Sequence, residues 1–195
     1  MTHPIAAEEI PPIHQPYDPD DVIAFHAARL LLLLDVCGEG TTRRSIEGST
    51  KLAKLDFFVR YPSFLARAHE ALQRRGEEVT TQYVADQTEP VEAPMIRYRF
   101  GPWDPRYRQY LAFLEARQLV VVGQGARGTK KVTLTAAGRR LARTAAADPS
   151  YAPVLARADT MVGNLAAWTG SELKDFIYDL LADEVGNRPM GEVIT

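Results

Sequence analysis

The sequence predicts an α+β fold that is mostly α-helical. Three observations predict it. Apolar residues recur at helical spacing through most of the chain. Residues 119–134 interrupt this pattern and read as strand, Gly-rich turn, strand, with a helix on either side. Charge is also segregated: residues 95–143 hold eleven Lys/Arg against two acids, Asp104 and Glu115, in a chain whose net charge is only −2. Acidic flanks hide this basic block, since residues 1–40 carry −6 and residues 148–195 carry −5. A basic helix followed by a basic hairpin is what a winged helix-turn-helix core presents to a polyanion. N- and C-terminal helical extensions complete the expected architecture.

The length of 195 residues fits one domain with extensions rather than two full domains. Residues 1–17 are Pro-rich (Pro4, Pro11, Pro12, Pro16) and read as a flexible arm. Residues 18–147 form the predicted winged-helix domain, with an acidic loop at 77–94, and residues 148–195 form the C-terminal helical extension. Cys37 is the one cysteine, which excludes an internal disulfide and a Cys-based zinc site. A reducing cytoplasm is therefore the expected compartment. Met1 to Asp21 lacks a cationic stretch followed by an apolar run, so no secretory signal is expected. The run Leu30–Leu34 is bracketed by Arg29 and Asp35. It is far shorter than the roughly 20 apolar residues of a membrane span, and no membrane contact is expected.

Each element has its own signal. Asp18 or Asp20 can cap a first helix over 19–37, which Gly38 and Gly40 end. Its C-terminal half is apolar nearly all round, as in a helix buried on more than one side. Ser49 or Thr50 starts a second helix, to about Tyr61, with Leu52, Leu55, Phe58 and Val59 on one face. Pro62 breaks it and suits the first turn of a third helix, about Ser63 to Arg75, closed by Gly76. Met95 to Phe100 alternates like a strand with one wet face. Gly101–Pro105 reads as a turn that delivers a helix over 105–117, with Asp104 as N-cap and Pro105 in the first turn. Strands at Leu119–Gly123 and Lys130–Leu134 follow, and Thr135 caps a helix to about Ala147. Two more helices are expected, roughly 152–168 and 171–185.

The candidate polyanion-binding residues are Arg97, Arg99, Arg106, Arg108, Gln109, Arg117, Arg127, Lys130, Lys131, Arg139 and Arg140. Arg127, Lys130 and Lys131 stand at or beside the hairpin tip, where a wing meets the phosphate backbone or the minor groove. A solvated edge hairpin guarded by cations against strand pairing explains them equally well. On the 105–117 helix, Tyr107, Tyr110, Leu111 and Leu114 fix the core face. The opposite face then offers Arg108, Gln109, Ala112 and Ala116, which is little equipment for reading base edges. That face suits backbone docking, packing on a protein partner, or an ordinary amphipathic helix.

Gly123-Gln124-Gly125-Ala126-Arg127-Gly128 matches G-x-G-x-x-G. A dinucleotide site needs a helix to open at that loop. Here the β-branched run from Thr129 follows, so a hairpin turn is expected and no cofactor is assigned. His3, His14, His26 and His69 are scattered. His26 and His69 read as helix-surface or core-edge residues, and Cys37 reads as a small buried hydrophobe. No catalytic or metal constellation is apparent, so an enzyme is disfavoured. In the last helix, Leu173, Phe176, Ile177, Leu180 and Leu181 share a face that either caps the core or docks on a partner.

Phe113 to Val120, the short basic hairpin and Val132-Thr-Leu-Thr-Ala-Ala-Gly138 resemble the wing region of MarR- and PadR-type proteins. With Lys51 to Pro62 and Gly101 to Asp104 added, residues 20–145 are similar to the middle components of bacterial ABC-three-component systems. That resemblance implies a non-catalytic winged-helix adaptor linking an SMC/ABC-like ATPase to an effector in anti-phage defence. The implied partners are the ATPase or a second copy, and duplex DNA. The alternative is a dimeric MarR/PadR-like regulator of duplex DNA. The acidic 77–94 insertion and the sparse base-reading face favour the adaptor.

Overall fold

A computed structural model describes residues 22–41, 44–79 and 94–194. The predicted arm, the caps at Asp18 and Asp20, and most of the acidic 77–94 loop lie outside the described residues. The described chain is α+β and mostly helical.

Two helices form the centre. The first, α1 (Ile23–Cys37), buries Leu30 through Leu34 together with His26, Arg29 and Cys37. It packs against helices on several sides, as its all-round apolar sequence predicts. The second, α2 (Ser49–Arg60), follows the short strand β1 (Ser45–Glu47). The sequence predicts one buried face for α2. Every residue from Lys51 to Arg60 is in fact buried, because strands and helices cover α2 on all sides. Its charged positions are therefore internal. The next helix, α3 (Pro62–Arg74), begins with the expected proline. Gly76 closes it at φ 76°, a conformation that favours glycine.

The stretch read as strand plus turn is instead a hairpin. Strand β2 (Ile96–Tyr98) reverses at Arg99–Phe100 and pairs with β3 (Gly101–Trp103). Pairing, not residue preference, makes Gly101-Pro-Trp a strand. The C-terminal segment extends this unit. The Ile194 amide donates to the Met95 carbonyl (2.8 Å), and the Arg97 amide to the Glu192 carbonyl (2.7 Å). The Tyr61 hydroxyl clamps both segments, donating to Ile194 O (2.9 Å) and accepting from Met95 N (2.7 Å).

Helix α4 (Tyr107–Ala116) starts later than predicted. Asp104 does not cap it. Its Oδ1 accepts the Arg106 amide (2.9 Å) and caps the turn that leads in. Strands β4 (Val120–Gln124) and β5 (Lys130–Leu134) form the expected ribbon. With β1 they make an antiparallel sheet in the order β1–β5–β4, Val132 lying between Ile46 and Val122. Thr135 caps α5 (Ala136–Ala146), its Oγ1 accepting the Gly138 amide at 3.0 Å. A methyl group on Gly138 would sit 2.0 Å from the Leu119 carbonyl oxygen. Gly138→Ala should therefore cost about 1–3 kcal/mol by overpacking, read as a lower midpoint in urea melts. An unchanged midpoint would contradict this close approach.

The predicted 152–168 helix is shorter. Helix α6 (Ala152–Thr160) ends before Gly163, which takes φ 84°, and one 3-10 turn follows at Leu165–Ala167. Helix α7 (Gly170–Leu180) opens with a capping box from Thr169 and Glu172, then widens into a π-type turn at Ala182–Gly186. The face expected to bind a partner is spent internally. Leu173, Phe176, Ile177 and Leu181 are buried in the chain's own core and Leu180 is half-buried. Of the two alternatives for this helix, core capping is the one observed.

Candidate nucleic-acid interface

A buried polar cluster sets the orientation of α4. Arg29 on α1 grips Asp56 on α2 with two hydrogen bonds, Nε–Oδ1 at 2.7 Å and Nη2–Oδ2 at 3.2 Å. The Tyr107 hydroxyl on α4 donates to Asp56 Oδ2 at 2.5 Å. Arg60 donates to Asp104 Oδ2 at 3.0 Å and lies 3.8 Å from Asp56. Arg29 Nη1 stands 2.8 Å from His26 Nδ1. Guanidinium can only donate, so this ring nitrogen accepts. His26 and His69 are both buried rather than at the surface.

Burial works to raise the Asp56 carboxyl, but Arg29 and Arg60 outweigh it and hold the group below the usual carboxylate range. Burial and the adjacent Asp56 push the Tyr107 phenol well above its ordinary value. Asp104 is likewise held low: burial opposes ionisation, and Arg106 and Arg60 outweigh it. The sequence carries a faint signal for this cluster. Asp56 and Arg60 stand one helical turn apart in α2, and Arg29 sits beside an apolar run. The long-range partners have none.

With Tyr107, Tyr110 and Leu114 turned inward, α4 shows Arg108, Gln109, Ala112 and Ala116 to solvent, as predicted. A groove of about 490 Å³ runs between α4, the ribbon and the β2–β3 hairpin. Arg108 and Lys130 share it with Tyr98, Trp103, Ser49 and Thr50. Glu115, the one carboxylate lining it, accepts the Val122 amide at 3.1 Å.

A second groove, of about 710 Å³, holds Arg139 and Arg140 beside the exposed Val121 and the half-buried Thr133. Side chains alternate across a strand. Lys130 therefore faces the first groove, while Lys131 shares the opposite side with Thr133 and the second groove.

Several predicted contact residues are engaged within the chain, Arg139 among them, its Nη1 donating to the Thr41 carbonyl at 3.1 Å. Arg106 donates to Asp104 from Nε and Nη2, both at 3.1 Å, so its charge is matched internally. Arg97 lies over the Tyr178 ring, and Arg117 over Phe113 at 4.4 Å. Arg99 is exposed at the hairpin turn, over Phe100. The Arg127 side chain lies outside the described ones.

The G-x-G-x-x-G segment closes the β4–β5 hairpin with one 3-10 turn, Ala126–Gly128, and opens no helix. Glu47 fills the loop: its Oε1 accepts the Ala126 amide at 2.6 Å and the Thr129 hydroxyl at 2.9 Å. A carboxylate stands where a pyrophosphate would need the backbone donors. Cys37 is buried, with its Sγ 3.5 Å from the Ala158 carbonyl, and burial pushes the thiol up to about 12. That keeps it a thiol at neutral pH. Lys54 lies buried in α2, its ammonium bound to the Thr50 carbonyl at 3.1 Å. Burial first, then nearby Lys174, lowers it to about 8.

Among the described residues no group of three or more His, Cys, Asp or Glu could hold a metal ion. No helix among them is long and apolar enough to cross a membrane. In comparison with known proteins, no family model, no curated protein and no solved structure matches the chain.

Proposed function

We propose that the chain is a non-catalytic adaptor of a DNA-associated ATPase assembly, with α4 and the β4–β5 ribbon lying on the phosphate backbone. The observation that carries this reading is the shared groove of Arg108 and Lys130, on neighbouring elements and outside the internal ion pairs. Topology supports it. Helix, strand, helix, then helix and ribbon, with the sheet order β1–β5–β4, is the arrangement expected of a winged helix. On this reading α3 and the β2–β3 hairpin are an insertion before the recognition helix. The outer face of α4 supports backbone docking over sequence reading. Arg108 and Gln109 alone offer side chains suited to base edges there, and Ala112 and Ala116 fill the rest.

The adaptor half of the proposal rests on the likeness to middle components of anti-phage ABC-three-component systems. A candidate partner surface survives the loss of the α7 face. Leu141 is 44% exposed and flanks an apolar pocket of about 230 Å³ formed with Phe113, Ala24 and Ala28. Co-expression with an SMC-like ATPase encoded beside it should yield a stable complex. Purification free of that ATPase, together with much tighter binding to one site in its own upstream DNA than to random duplex, would favour the MarR/PadR-like regulator instead.

A further inference from the structure

Resting on the DNA-docking reading, we infer that the groove between α4 and the β2–β3 hairpin takes an unpaired nucleic-acid strand, with a base stacked on Tyr98. Three aromatic rings run inward from this groove. Tyr98 is 47% exposed and lies 6.1 Å from Trp103, which lies 5.0 Å from the buried Tyr107. Tyr107 is anchored by its hydrogen bond to Asp56. The outer ring is thus the open end of a run of mutually tilted rings fixed to the core.

Single exposed aromatic residues are ordinary on protein surfaces. This one is not isolated. Phe100 is 50% exposed at the same hairpin turn, with Arg99 over its ring. Arg108 and Lys130 line the same groove as Tyr98, with the Ser49 and Thr50 residues beside them.

Each nucleotide of an unpaired strand offers a π-face and a phosphate at a short fixed spacing. Aromatic platforms flanked by cations are how proteins hold such strands without reading sequence. The dimensions agree. The groove, about 490 Å³, falls among pockets that enclose single small molecules, roughly 300–1,000 Å³. That volume suits one nucleotide at a time. An acidic peptide would satisfy the cations but leave the exposed Tyr98 ring without a planar partner.

The test is fluorescence anisotropy of the full chain with an oligothymidylate of about 20 nucleotides and a blunt duplex of equal length. The single strand should bind about tenfold tighter than the duplex or better. Tyr98→Leu should weaken single-strand binding about 5- to 100-fold and leave duplex binding unchanged, while Tyr98→Phe, which keeps the ring, should bind like the parent. Lys130→Glu should weaken both. Equal affinity for the two probes, with Tyr98→Leu indistinguishable from the parent while Lys130→Glu still weakens both, would overturn the strand assignment alone. Binding to neither probe would overturn the docking reading as well. Thermal melts of each variant establish that the fold is retained.

Discussion

Asp56→Ala should destabilise the protein by about 3–5 kcal/mol, the effect of removing one partner from a fully buried ion pair. Total stabilities of domains this size are about 5–15 kcal/mol, so the variant should be close to unfolding at ambient temperature. The cost has a specific origin. Asp56 is fully buried and faces two buried guanidinium groups, those of Arg29 and Arg60. Its loss takes the Asp56 carboxylate from both buried cations, of which Arg60 keeps Asp104, and takes the acceptor from the Tyr107 hydroxyl. A pH dependence follows. The folded protein holds Asp56 and Asp104 below the ordinary carboxylate range. Groups depressed in this way stabilise the fold above their unfolded pKa, about 4, and lose that contribution as pH falls through the lower folded value. Acid titration of the parent should show unfolding below about pH 4, with a weaker pH dependence in Asp56→Ala. Urea melts at neutral pH measure the first effect. A variant with the parent's midpoint would show that the cluster does not hold α1, α2 and α4 together.

The paired substitution Arg108→Glu, Lys130→Glu should weaken DNA binding about 100-fold while shifting stability by no more than about 0.5 kcal/mol. The two side chains are exposed and sit in one groove. Each phosphate contact contributes through release of condensed counterions, so reversing two cations both removes attraction and adds repulsion. Anisotropy with a tailed duplex measures the first effect, and a thermal melt the second. Weakened binding accompanied by a lower melting point would point to misfolding and not to lost contacts.

What could be read from the sequence follows from how local each determinant is. The ribbon, the Thr135 cap and the outward face of α4 depend on residues within a few positions of one another. The strand Lys130–Leu134 accordingly coincides with its predicted limits. The buried cluster joins residues 27 and 44 positions apart, Arg29 with Asp56 and Arg60 with Asp104. Periodicity assigns such charges to the surface, because it cannot see the helix that covers them. The β2–β3 hairpin was hidden for a related reason: Gly101-Pro102-Trp103 has turn-like composition and becomes a strand only through its partner. The stripe on α7 shows the same limit, since an apolar face does not say whether its neighbour belongs to the same chain. The abundance of cations in residues 95–143 was legible, whereas their division was not. Arg106 is matched by Asp104, and Lys130 and Lys131 take opposite sides of one strand.

The decisive measurement is the slope of log affinity against log salt, between about 50 and 200 mM, for a mixed-sequence duplex bearing a single-stranded tail. If α4 and the ribbon together lie on phosphates, the parent should show a steep negative slope, shallower by about two in the Arg108→Glu, Lys130→Glu variant. A slope near zero in the parent, or one that the double substitution leaves unchanged, would contradict it.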